Sequence, residues 1–138
     1  MERFAIDTCE EVILNGDRQN IRIRAAKEGL PVMLFLHGGP GVCDRHFVLK
    51  NQSRLAEKYT MVCWDQRGSG KSYSPKIQEE ALSVETYVDD AEALIDLLRA
   101  RFHTEKVILS AHSWGTVLGT KLAVRCPEKI AAYVAQGM

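Results

Sequence analysis

The segment from Lys106 to Cys126 constrains the fold more than any other part of the chain. Lys106-Val107-Ile108-Leu109-Ser110 is an apolar run of strand length, Ala111-His112-Ser113-Trp114-Gly115 follows, and Thr116 to Cys126 reads as a helix. A strand, one sharp turn and a helix in direct succession put Ser113 at the apex with a helix N-terminus aimed at it, the layout of a nucleophile elbow. Such a turn is strained and presses its helix against neighbouring strands, so the residues at 111 and 115 have to be small. Glycine is usual at the first of these positions; Ala111 adds one methyl group.

Val32-Met33-Leu34-Phe35-Leu36 reads as a second buried strand and runs straight into His37-Gly38-Gly39-Pro40-Gly41. On its own this glycine-proline cluster reads equally as a tight turn. Beside an elbow it acquires a second meaning. Acyl transfer develops negative charge on the carbonyl oxygen, and backbone N–H groups must already face that oxygen. A loop without Cβ atoms approaches a substrate closely. Gly39 is the expected donor there, because Pro40 has no N–H, and Trp114, the residue after the candidate nucleophile, is the expected second donor.

Three segments together, His37-Gly38-Gly39-Pro40-Gly41, Asp65-Gln66-Arg67-Gly68-Ser69-Gly70-Lys71-Ser72 and His112-Ser113-Trp114-Gly115-Thr116, resemble the signature segments of proline iminopeptidase-type α/β-hydrolases in order and separation. The resemblance runs from the first strand to Gly137 and covers the N-terminal half of that family. It implies an α/β-hydrolase fold: a mostly parallel sheet with an antiparallel N-terminal hairpin, here stopping after the sixth strand, so that residues 1–138 form the N-terminal part of one domain without cap or later strands. It also implies a serine hydrolase with Ser113 as nucleophile and Gly39 and Trp114 as oxyanion donors. The substrate would be a small peptide releasing its N-terminal residue, or an ester or lactone, since family peptidases more often carry Gly-Gly where this chain has Ala111-His112. No metal or organic cofactor is implied. A serine in the elbow argues against relatives that use an aspartate nucleophile on epoxides or haloalkanes.

In this fold the acid and the histidine follow the nucleophile in sequence. After Ser113 the chain has no histidine and no aspartate, and Glu128 is its sole carboxylate there. Of the four histidines, His37 is expected to orient its loop, His112 to serve as a packing or hydrogen-bonding group, and His46 and His103 to be exposed. Without a base, a serine hydrolase loses about four to six orders of magnitude in rate, so the 138 residues alone are expected to be nearly inactive. The other reading is a non-catalytic assembly module, whose last strand pairs with a complementary C-terminal segment or a second copy.

Eighteen basic residues balance eighteen acidic ones, which gives no electrostatic case for nucleic acid or an anionic membrane. No signal-peptide pattern or membrane-length apolar run is found, and Cys9, Cys43, Cys63 and Cys126 show no metal-ligand or Cys-x-x-Cys spacing, so a cytoplasmic setting is expected. Gly70-Lys71-Ser72 resembles the end of a phosphate-binding loop. Asp65 stands where that motif needs glycine, and Tyr73-Ser74-Pro75 follows where it needs a helix, so nucleotide binding is disfavoured. Asp65 and Arg67 are instead expected to tie their loop to neighbouring backbone beside the site.

The expected strands are Phe4–Leu14, Asn20–Ala26, Val32–Leu36, Thr60–Trp64, Lys106–Ser110 and Ile130–Gln136, the first two flanking a turn at Asn15-Gly16-Asp17. Ile21 and Ile23 alternate with Arg22 and Arg24, as in a strand with one wet face. The last four are apolar on both faces, as parallel strands covered by helices are. Val84, Tyr87, Val88, Ala91, Leu94, Ile95 and Leu98 form the buried stripe of a helix over Ser83–Arg99, capped by Ser83. Its acidic residues Glu85, Asp89, Asp90 and Glu92 read as a solvated face.

Overall fold

The computed structural model describes residues 4–36, 53–66, 83–112 and 114–136. Six strands form one sheet: β1 (Ile6–Leu14), β2 (Asp17–Ala25), β3 (Val32–Leu36), β4 (Thr60–Asp65), β5 (Val107–His112) and β6 (Ile130–Gln136). Their spatial order is β1-β2-β4-β3-β5-β6. β1 pairs antiparallel with β2 and β2 with β4, whereas β4, β3, β5 and β6 run parallel. The expected architecture, a parallel sheet entered through an antiparallel hairpin, is the one observed. No helix among the described residues is long and apolar enough to cross a membrane.

The hairpin closes through two residues only, Asn15 and Gly16, both at positive φ (50° and 80°). This is the primed turn that matches strand twist, and Asn-Gly is its preferred sequence. Closure this tight pairs Leu14 with Asp17, so β2 starts three residues earlier than the apolar pattern indicates. Ile21, Ile23 and Ala25 are buried while Arg22 and Arg24 are half-buried on the opposite face, the alternation expected of β2.

Helix α1 (Val84–Arg101) begins where Ser83 Oγ accepts the Thr86 N–H at 3.1 Å. Its stripe Tyr87, Val88, Ala91, Leu94, Ile95 and Leu98 packs with Leu34, Leu36, Val62, Trp64, Leu109 and Leu118 in the main core. Helix α2 (Gly115–Arg125) covers the same face and contributes Leu118 and Leu122. The opposite face holds a smaller cluster, Met33, Phe35, Ala56, Met61 and Cys63, roofed by the 3-10 turn Ser53–Glu57. β3 and β4 are buried throughout because both faces are covered.

Two expectations are corrected. Asp90 is not on a solvated face: it is fully buried and accepts from Gln19 Nε2 at 2.9 Å and from Asn15 Nδ2 at 3.1 Å. Gln19 Oε1 in turn accepts the Trp64 indole N–H at 2.8 Å. A buried carboxylate is tolerated when donors replace its water, and these two donors come from the hairpin. β6 is not covered on both faces either. Ile130 to Ala135 are half-buried or exposed, with Val134 46% exposed, because β6 is the edge strand among the described residues and α2 reaches it mainly through Tyr133.

The remaining acids of α1 do face outward, but they are paired rather than merely solvated. Arg125 bonds Asp89 at 2.7 Å and Glu85 at 2.9 Å, and Lys129 bonds Glu92 at 2.8 Å and Asp96 at 2.9 Å. The hydrogen bond that Arg125 donates to Asp89 raises the Arg125 pKa, and the one that Lys129 donates to Glu92 raises that of Lys129. These pairs stitch the end of α2 and the following turn to α1.

Candidate active site

Sheet register decides which loops meet. Leu36 is the in-register partner of Ala111, and Phe35 is that of Cys63. Three parallel strands, β4, β3 and β5, therefore end level with one another about 5 Å apart. Leu36, Asp65 and His112, the last residues of β3, β4 and β5, lie side by side at the carboxyl end of the sheet. The chain connects β3 to β4 in one direction and β5 to β6 in the other, so the direction of winding reverses between β3 and β5. Open α/β sheets bind ligands at that reversal, outside the carboxyl ends of the strands.

The strand and the helix on either side of Ser113 lie where the sequence indicates them. β5 extends two residues further than its apolar run, to His112, and α2 begins at Gly115, so only Ser113 and Trp114 separate strand from helix. Helix and sheet approach each other as closely as backbone allows at this point. A Cβ built on Gly115 would stand 2.8 Å from the Leu36 carbonyl carbon and closer still to its oxygen. Ala111 is 2% exposed within the core. Smallness at 115 is thus imposed by the contact between α2 and the end of β3.

Trp114 is the one expected site residue that the described residues include. It has φ −52° and ψ −36° and serves as the N-cap of α2 without a side-chain capping bond, and its carbonyl accepts the Val117 N–H at 3.0 Å. Its indole N–H donates to Gln66 Oε1 at 3.3 Å, and its ring meets that of Tyr87 edge-on, with centroids 5.8 Å apart. Ser113 and Gly39 lie outside the described residues, as do His37, His46, Arg67 and the Gly70-Lys71-Ser72 segment. His112 is exposed at the end of β5 rather than packed, and His103 is exposed just past α1 with φ 52°.

The sequence points to Asp65 and Arg67 as anchors of the loop after β4, places Tyr87 only in the core stripe of its helix, and gives Gln66 no role. Asp65 is the last residue of β4 and 1% exposed, and Gln66 is fully buried. A fully buried glutamine one residue past a strand needs fixed partners, but neighbouring sequence gives no sign that its partner lies 48 positions away.

A family model described as the alpha/beta hydrolase fold matches residues 31–138. The chain belongs to the α/β-hydrolase family. Among relatives of this α/β hydrolase, a probable aminopeptidase from Bacillus subtilis, YbaC, is 33% identical over 132 residues, covering 96% of this chain and 42% of the relative. A proline iminopeptidase from Lactobacillus helveticus is 32% identical over 97 residues, 70% of this chain and 32% of that protein. The crystal structure of an epoxide hydrolase from Vigna radiata superposes with a TM-score of 0.75 at 34% identity, covering 96% of this chain and 40% of that one. The α/β hydrolase described here therefore spans about two-fifths of the length of the most extensively matched of these relatives.

Proposed function

We propose that this chain carries the nucleophile and oxyanion hole of a serine hydrolase similar to proline iminopeptidases. Ser113 is the nucleophile, and the backbone N–H groups of Gly39 and Trp114 receive the oxyanion. The observation that carries the reading is the two-residue passage from β5 to α2, held against the carbonyl of Leu36 at the point where the sheet's winding reverses. A hydroxyl at the apex of such a passage stands clear of the sheet and in front of a helix N-terminus.

In the reaction, Ser113 Oγ attacks the carbonyl carbon, the proton passes to a base, and the two amides stabilise the tetrahedral oxyanion. Collapse expels the amine or alcohol, and water then hydrolyses the acyl-serine. No histidine or aspartate follows Ser113 in the sequence; in the fold's order these partners come later. The 138 residues alone are therefore expected to acylate slowly, and a segment supplying acid and histidine would restore turnover. The half-exposed edge strand β6 supports a second reading, in which it pairs with that complementary segment or with another copy.

The sequence similarity to an aminopeptidase and to proline iminopeptidases favours N-terminal residue release from short peptides over epoxide opening. Serine rather than aspartate at position 113 favours it further. A fluorophosphonate probe tests the first step. Labelling of the chain that disappears in Ser113→Ala supports the assignment, and labelling that survives Ser113→Ala defeats it. Prolyl arylamides against simple aryl esters then separate peptidase from esterase.

A further inference from the structure

Trp114 is gripped by two elements other than its own. Gln66, fully buried directly after β4, accepts its indole N–H at 3.3 Å, and Tyr87 in the first turn of α1 meets its ring edge-on at an interplanar angle of 82°. A half-buried indole needs an acceptor for its N–H, so this pair of contacts fixes one orientation of the side chain. The consequence falls on the backbone. On its C-terminal side Trp114 is tied by the helical bond from Val117. On its N-terminal side, the amide of an N-cap residue has no intrahelical partner. With the Cα–Cβ direction fixed by the indole and the carbonyl fixed by the helix, the remaining freedom of residue 114 is small.

We infer that Gln66 is a positioning residue: through the indole it keeps the Trp114 amide aimed at the substrate's carbonyl oxygen. The inference rests on the proposed role of that amide as an oxyanion donor. It gives the Asp65-Gln66 segment a role distinct from phosphate or substrate binding, because Gln66 acts on the reaction through Trp114. Gln66→Met keeps the length of the side chain and removes its acceptor. Trp114→Phe keeps a ring against Tyr87 and removes the donor.

The test uses the 138-residue chain, with fluorophosphonate labelling of Ser113 resolved into maximal rate and half-saturation, and with the ¹⁵N resonance of the Trp114 amide. Gln66→Met is expected to lower the maximal labelling rate about tenfold, a fraction of the hundredfold or more that loss of a whole oxyanion donor costs. Half-saturation and the pH profile stay unchanged. Gln66→Glu, which retains an acceptor oxygen, stays within about threefold of wild type. Trp114→Phe reproduces the Gln66→Met loss, and the double variant loses no more than either single one, as two ends of one bond must. In Gln66→Met the Trp114 amide order parameter drops from about 0.85 toward 0.6.

Additive losses in the double variant would overturn the inference. So would wild-type labelling together with an unchanged Trp114 amide in Gln66→Met. If wild type is labelled at Ser113 neither alone nor with an added segment supplying acid and histidine, the proposed function falls and the amide measurement alone decides whether Gln66 holds residue 114. Should Gln66→Met fail to fold, Trp114→Phe carries the labelling comparison, and Gln66→Glu carries the amide measurement, with an unchanged order parameter expected and a fall to about 0.6 overturning the inference.

Discussion

Alanine in place of Gly115 separates two physical accounts by sign. Helix propensity alone favours Gly115→Ala by up to about 1 kcal/mol, because alanine loses less conformational freedom than glycine on entering a helix. The packing geometry opposes it. The added methyl would lie 2.8 Å from the Leu36 carbonyl carbon and nearer its oxygen, whereas non-bonded carbons settle at about 3.5–4.0 Å. Neither side yields easily. Leu36 is backbone-paired to Ala111 in mid-sheet, and residue 115 opens a helix whose Leu118 and Leu122 are fully buried. Overpacking against such neighbours costs about 3 kcal/mol, the upper part of its usual range, leaving a net loss of about 2 kcal/mol after the propensity gain. For 138 residues unfolding with about 2.1 cal/mol/K per residue, that lowers Tm by roughly 7 °C. Urea unfolding followed by tryptophan fluorescence gives the free energy directly, and labelling of Ser113 should fall with it because the same shift moves the elbow. An unchanged or raised Tm would refute the close approach and, with it, the reason given for a small residue at 115.

Gly119→Ala provides the contrast. Its methyl would meet Tyr133 at 2.6 Å from Cζ, but a side chain at an edge strand can swing aside, so urea unfolding should show a loss of only about 1 kcal/mol, with labelling unaffected. Asp90→Ala leaves the amide donors of buried Gln19 and of Asn15 without their acceptor and should cost about 2–3 kcal/mol by the same assay. Asp89→Ala, which removes an exposed partner of Arg125, should cost under about 1 kcal/mol and nothing measurable in 1 M salt. Acid sensitivity should come partly from Glu10. Its carboxylate accepts from both Nη atoms of Arg101 at 2.6 and 2.7 Å, and that pairing holds its pKa below the ordinary 4.5. A depressed carboxylate pKa stabilises the fold above about pH 4.5, and the contribution is lost as pH falls through the folded value. Since both side chains are about one-third exposed, Glu10→Gln should flatten the acid limb of the urea midpoint between pH 5 and pH 3 by less than about 1 kcal/mol.

Much of this architecture was legible because local pattern and tertiary role agree. The Asn15-Gly16 turn, the stripe on α1 with its Ser83 cap, and the order of strand, serine turn and helix around position 113 each follow from a few adjacent residues. What escaped reading depends on distant partners. Asp90 lies three residues after Tyr87 and four before Leu94, so its spacing already put it on the buried stripe. Its charge argued for solvent, and the donors that reverse that argument sit in the hairpin, 71 and 75 residues away. Gln66 was overlooked for the same reason. The exposure of β6 was hidden because an apolar strand reads alike whether or not both of its faces are covered.

The buried carboxylate also changes how this protein can be modified. Hairpin tips are usual places to graft a peptide tag, and Asn15-Gly16 has the look of one. Asn15, however, is bonded to Asp90 on a helix at the centre of the molecule, so a graft there would pull at the main core. The turn at Gly29 differs: residues 27–29 are exposed, and a Cβ at Gly29 would meet nothing within 4 Å. An epitope or fluorophore belongs there, where the chain can lengthen without disturbing the buried polar chain or the passage from β5 to α2.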